Sequence, residues 1–230
     1  MRRSLAARLA VFVLAFAAGT CSAQNWVEGK NYFRITPPQP TNVAPGKVEV
    51  MEVFSFGCPA CNAFQPIMKQ LKAALPPNAQ VVYLPASFIP SEDWPMFQRA
   101  FFTAQALGIE EKTHDAMFNA VWGTGELAAI DPVTHRIKSS IPTIEDAAKF
   151  YERTTGVKAD TFLATAKSFG VDAKMRMADA EIGAAQALST PTLIINGKWR
   201  LQTQTAGGID QTIQLVKYLV AMEAAGTKAK

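Results

Sequence analysis

Two cysteines one helical turn apart, Cys58-Pro59-Ala60-Cys61, constrain this chain more than any other feature. Lys47-Val-Glu-Val-Met-Glu-Val-Phe-Ser-Phe56 precedes them, rich in β-branched and aromatic residues and therefore a strand. Gly57 breaks that strand. Pro59 then takes the first helical position, where its missing N–H costs nothing. Phe64, Ile67, Met68, Leu71 and Leu75 recur at helical spacing until Pro76-Pro77 ends the run. The two thiols thus sit at the start of a helix that follows a strand. Backbone N–H groups and the helix dipole at that terminus stabilise a thiolate on Cys58. Cys58 is expected as the exposed nucleophile, with Cys61 as the more buried resolving thiol within disulfide reach. One face of the strand, Val48, Val50 and Glu52, carries an acid into the expected core.

Other uses of the two cysteines fit less well. A purely structural disulfide across four residues closes too small a loop to stabilise much. A zinc site needs four ligands. Beyond residue 23 the chain offers only these two cysteines with His114 and His135, which are 21 residues apart. A Cys–His hydrolase has no need of a second thiol. Both histidines read as surface or structural residues, and neither a metal nor a bound cofactor is expected.

The N-terminus points to a compartment where such thiols are useful. Arg2, Arg3 and Arg8 lead into the apolar run Leu9–Ala18, and small residues follow in Gly19-Thr-Cys-Ser-Ala23. Ten apolar residues suit a signal peptide and are too short to span a bilayer. Residues 1–23 are therefore expected to be cleaved, which leaves 207 residues exported to a compartment where disulfides persist. The formal charge of +4 hints at nucleic acid. Without those three arginines the count is 20 basic against 19 acidic residues, and no basic block remains, so no nucleic-acid partner is expected.

The remaining pattern places the motif in a larger unit. Asn31–Ile35 and Gln80–Leu84 have strand character. From about Ile89 to Leu188 the pattern is helical throughout, with Thr143-x-x-Asp146 as a cap and a break at Gly170. Strand character returns at Thr192–Ile195, Asn196-Gly197 signals a hairpin, and a last helix follows Gly207-Gly208. The expected architecture is α/β, a sheet interrupted by a helical insertion between its third and fourth strands.

Glu52-Val-Phe-Ser-Phe-Gly-Cys-Pro-Ala-Cys61, followed far downstream by Ser189-Thr-Pro-Thr192, resembles the DsbA family of periplasmic thiol:disulfide oxidoreductases. The resemblance spans the chain after residue 23. It implies a thioredoxin-like domain from residues 24–88 and 189–230, with residues 89–188 as the helical insertion. It implies that Cys58 and Cys61 form a redox-active disulfide donated to exported proteins with free thiols through a mixed disulfide. It also implies a monomer, reoxidised by a DsbB-like quinone-linked membrane oxidase. Thr190-Pro191 matches the cis-proline loop that faces the cysteines, and Glu52 matches the buried acid beneath them. Ala60 stands where the best-known members carry His. Gln65 stands where they carry a second helix acid, and no Lys between Ala79 and Met96 is available to Glu52. A reductase or isomerase could use the same motif at a lower potential, and a binding module could carry it incidentally.

Overall fold

The computed structural model describes residues 25–131 and 133–228; the expected signal segment lies outside them. A short strand β1 (Phe33–Arg34) precedes β2 (Val48–Phe54), helix α1 (Pro59–Ala74) and β3 (Ala79–Pro85). Five helices follow: α2 (Trp94–Ala106), α3 (Glu110–Phe118), α4 (Ile144–Thr155), α5 (Ala159–Ala166) and α6 (Phe169–Ala184). The chain then returns through β4 (Thr192–Ile195) and β5 (Trp199–Leu201) to α7 (Thr203–Ala206) and α8 (Ile209–Lys228). The sheet order is β1-β5-β4-β2-β3, with β2 parallel to β3 and antiparallel to β4. The helical insertion thus falls between the third and fourth strands, in a thioredoxin-like α/β fold.

β2 lies between two strands and is covered on both faces, so all seven of its residues are buried. Val48 and Val50 pack with Phe64, Met68 and Leu71 of α1 and Leu215, Val216 and Leu219 of α8. Met51 and Val53 belong to a second core with Phe97, Phe101 and Phe118 of the insertion. Each aliphatic side chain buried this way contributes about 1.5–3 kcal/mol. The acid expected on one face is matched by another on the opposite face: Glu49 and Glu52 are both 0% exposed. Glu49 keeps one partner, since its Oε2 accepts from the Asn42 N–H at 2.7 Å.

Local signals largely set the boundaries. Asn196 and Gly197 take positive φ values of 54° and 65°, as a tight hairpin between β4 and β5 requires. Thr143 and Asp146 form a reciprocal capping box at the start of α4. Three expectations change. Strand character at Asn31–Ile35 yields only the two residues of β1. Between the π-helical turn at Asn119–Gly123 and α4 the chain is irregular rather than helical. The Asp131 carboxylate accepts the Val133 and Thr134 N–H groups there, holding a turn that places His135 at φ 53°. His135 is therefore a turn residue and not a helical one. The break in the last insertion helices falls at Lys167–Ser168, because the Ser168 hydroxyl caps α6 by accepting from the Val171 N–H. Gly170 lies inside the first turn of α6.

Candidate active site

The end of β2 delivers the chain into a turn that sets Cys58 at the N-cap of α1. The Cys58 N–H donates to the Ser55 carbonyl at 3.1 Å, and the Gly57 N–H donates to Ser55 Oγ at 3.1 Å. The Cys58 sulfur accepts from the Cys61 N–H at 3.2 Å, as an N-cap acceptor does. On the other side the Thr190 hydroxyl donates to the same sulfur at 3.2 Å. The Thr190–Pro191 bond is cis, the isomer that the resemblance implies. The loop carrying it is tied down by Thr192 Oγ1 donating to the Ser189 carbonyl and by the Gln202 amide donating to Thr192 Oγ1.

Cys58 is less open than expected of a nucleophile, at 4% exposure, because the Thr190 loop covers it. Cys61 is fully buried, and both residues are thiols. Their acidities diverge. The Cys61 thiol hydrogen bond pulls Cys58 down to about 6 against the opposing effect of burial, helped by the Thr190 hydroxyl and by the Cys61 and Ala60 N–H groups. The helix terminus therefore contributes, but the partner thiol contributes more. Cys61 moves the other way, raised by burial, by its hydrogen bond to Cys58 and by the negative charge of Cys58 and Glu52.

Glu52 lies in the core and not at an exposed edge. Burial, followed by the charge on Cys58, pushes its carboxyl up to about 8. Neither of its oxygens has a hydrogen-bond partner among the described residues. It is thus a neutral acid at pH 7, coupled electrostatically to both sulfurs. Gln65, one turn after Cys61, reaches back to the Cys61 carbonyl at 3.4 Å. Pro59 and Ala60 are exposed at the tip of the motif. His114 is a structural residue in the insertion core, stacked on Tyr83 at 4.1 Å between ring centroids. Among the described residues no group of three or more His, Cys, Asp or Glu side chains is placed to hold a metal.

Two tryptophans at the site carry no signal in the sequence, because their contacts join distant segments. Trp94 packs so closely on Gly57 that a Cβ there would lie 2.8 Å from its Nε1. Trp122, in the π-helical turn, donates its indole N–H to the Phe56 carbonyl at 2.8 Å.

A thioredoxin-type sheet with a Cys-x-x-Cys pair at a helix N-cap, facing a cis-prolyl loop, defines a thiol:disulfide oxidoreductase. The thioredoxin family model matches residues 44–214. The thiol:disulfide interchange protein DsbA of Pseudomonas aeruginosa is 33% identical over 206 residues, 90% of either chain. That of Pseudomonas syringae pv. tomato is 32% identical over 100% of this chain and 99% of its own. The crystal structure of Pseudomonas aeruginosa DsbA superposes with a TM-score of 0.73 at 32% identity, covering 90% of this chain and 98% of that one. The Xylella fastidiosa DsbA structure gives 0.74 at 29% identity, over 86% and 98% of the two chains. The chain belongs to the DsbA family of thiol:disulfide oxidoreductases, with Cys58 and Cys61 as its active-site pair.

Proposed function

We propose that this protein is a periplasmic dithiol oxidase, which donates a Cys58–Cys61 disulfide to exported proteins as they fold. The observation that carries this reading is the pair of hydrogen bonds that the Cys58 sulfur receives at the helix N-cap, from the Cys61 N–H and the Thr190 hydroxyl, each at 3.2 Å, while Cys61 is fully buried behind it. A substrate thiolate attacks the Cys58 sulfur, and Cys61 leaves as a thiolate. Burial of Cys61 disfavours its thiolate, which takes up a proton after it leaves. Glu52, buried beneath the pair and held largely protonated by that burial, adds little negative charge to oppose the departing thiolate at pH 7. The substrate's second thiolate then attacks its own sulfur in the mixed disulfide. Cys58 leaves with the electron pair as a stabilised thiolate, and the substrate departs oxidised. Thr190 and Pro191 form the wall against which the mixed disulfide lies, and Pro59 and Ala60 are the exposed tip that meets the substrate.

In this reading residues 1–23 are a cleaved signal peptide that takes the protein to the periplasm. Residues 24–88 and 189–230 form the thioredoxin-like domain and residues 89–188 the insertion domain. A DsbB-like quinone-linked membrane oxidase restores the disulfide, and the protein works as a monomer. Oxidative refolding of a reduced disulfide protein, run beside insulin reduction, tests the direction of transfer. Wild type should drive refolding and reduce insulin poorly. Cys61→Ser should accumulate mixed disulfides through Cys58, and Cys58→Ser almost none. Efficient insulin reduction without oxidation of the refolding substrate would make the protein a reductase instead.

A further inference from the structure

The turn that presents Cys58 carries a glycine that its observed geometry does not require. Ser55-Phe56-Gly57-Cys58 closes through the Cys58 N–H to Ser55 carbonyl bond, so Phe56 and Gly57 are its two central residues. Glycine at the second central position is the signature of a type II turn, which needs a positive φ there. Gly57 does not take a positive φ. The central peptide therefore points the other way, as in a type I turn. Types I and II differ by a half-rotation of that one peptide unit, and glycine removes the steric barrier against it.

Two hydrogen bonds oppose the rotation. On one side of the peptide, the Gly57 N–H is held by Ser55 Oγ at 3.1 Å. On the other, the Phe56 carbonyl is held by the Trp122 indole N–H at 2.8 Å, across 66 residues of sequence. Rotation would break both bonds and leave the indole N–H without its acceptor. Trp94 accounts for the glycine itself, since any Cβ at residue 57 would collide with its ring. The insertion thus imposes a residue that leaves the peptide free to turn, and supplies through Trp122 the donor that holds it.

We propose that Trp122 is a positioning residue of the active site: its hydrogen bond to the Phe56 carbonyl locks the Phe56–Gly57 peptide, and so holds the Cys58 sulfur against both the Cys61 N–H and the Thr190 hydroxyl. Those two contacts depend on the direction in which the chain enters α1, and the locked turn sets that direction. The insertion is then part of the thiol chemistry as well as a cover for the sheet.

Trp122→Phe keeps a ring and removes the donor. Benzothienylalanine at position 122 does the same with the indole shape intact, so a failure of the phenylalanine variant to fold leaves the test in place. The readouts are alkylation of Cys58 in the dithiol protein at pH 6, and its titration followed by thiolate absorbance. Both belong to the thiol itself and do not depend on the direction of electron transfer. Alkylation should slow about fivefold, the equilibrium factor of one typical hydrogen bond. The titration should move to higher pH. Ser55→Ala should act in the same direction, and the double variant should exceed the product of the two, because each remaining bond partly guards the same peptide. A lower melting temperature with unchanged alkylation and titration, or faster alkylation, would overturn the proposal and leave Trp122 a packing residue.

Discussion

The Thr190 hydroxyl lies 3.2 Å from the Cys58 sulfur and donates to it from a loop 132 residues away in sequence. It is a side-chain donor from outside the Cys-x-x-Cys motif that lowers the pKa of Cys58. A hydrogen bond to a charged acceptor is worth about 1.5–3 kcal/mol, and 1.36 kcal/mol corresponds to one pH unit. Thr190→Val keeps the shape and removes the donor. It should raise the pH at which Cys58 ionises, from about 6, by roughly one unit. Thiolate absorbance of the dithiol form between pH 4 and 9 checks this. An unmoved titration would show that the hydroxyl does not bond the thiolate.

Glu52 gives a stability prediction with a definite sign. Its folded value of about 8 lies above the ordinary carboxylate value of 4.5. Below 4.5 the group is protonated in both states and adds no pH dependence. As the pH rises towards 8, the unfolded chain gains an ionised carboxylate that the folded protein lacks, and stability falls. At 1.36 kcal/mol per unit, the loss approaches about 5 kcal/mol as an upper bound. Glu52→Gln should remove this dependence. Its own buried amide costs a constant amount, so the slope with pH is the quantity to compare. Urea unfolding of the dithiol protein at pH 4.5 and 8 should show wild type losing ground to the variant across that interval. Parallel curves would mean that Glu52 is ionised in the folded state.

The sequence made the nucleophile, the hairpin and the α4 cap legible because each is a local pattern. Cys58 and Pro59 fix an N-cap between themselves, Asn196 and Gly197 fix a turn, and Thr143 reaches Asp146 within one turn. Thr190 and Pro191 became legible only through the family resemblance, since nothing local brings them to Cys58. The contacts of Trp94 with Gly57 and of Trp122 with Phe56 join segments that only the folded insertion brings together. Glu49 shows the same limit. Its strand position gave its face, but its burial depends on what the insertion and the Asn42 loop lay over that face. The irregular stretch before α4 has a helical pattern in the sequence because its apolar residues mimic a helical stripe, and only the fold shows that Asp131 spends its carboxylate on a turn.

His114 sets an acid limit. It is 6% exposed and ringed by Phe54, Phe56, Tyr83 and Phe118. Neither ring nitrogen has a hydrogen-bond partner among the described residues, and Glu110 Oε1 stands 3.9 Å from Nδ1. Burial holds its ionisation down to about 4, against 6.5 for a free histidine. Above 6.5 the ring is neutral in both states. As the pH falls, the unfolded chain takes up a proton that the folded protein refuses until about 4, and roughly 3 kcal/mol of stability is lost. His114→Phe fits an aromatic surrounding and should flatten the decline. Melting curves at pH 4.5 and 7 should show a smaller acid shift in the variant than in wild type. An equal shift would place the acid sensitivity elsewhere.

Ala60 leaves a vacancy in the redox machinery that can be filled. It is exposed, and its backbone N–H is among the groups that lower Cys58. Its methyl group adds nothing to that sulfur. The reduction potential of the pair rises with the stabilisation of the reduced, thiolate form, so a further favourable contact with Cys58 makes the disulfide a stronger oxidant. A histidine at position 60 would project from the first turn of α1 beside the thiolate, and its imidazolium would add both a charge and a donor. Burial of Cys58 acts in the opposite sense and is not altered by the substitution. Ala60→His should therefore lower the pH at which Cys58 ionises and raise the potential by about 30 mV for each tenfold gain in the equilibrium constant. The effect should shrink above the ionisation range of histidine, near 6.5, because the neutral ring retains the donor but loses the charge. Equilibration with glutathione at pH 6 and pH 8, read by the fraction of free thiols, measures both. An unchanged potential at pH 6 would show that the exposed tip of the motif does not reach the sulfur. A rise of equal size at both values would assign the effect to the hydrogen bond alone.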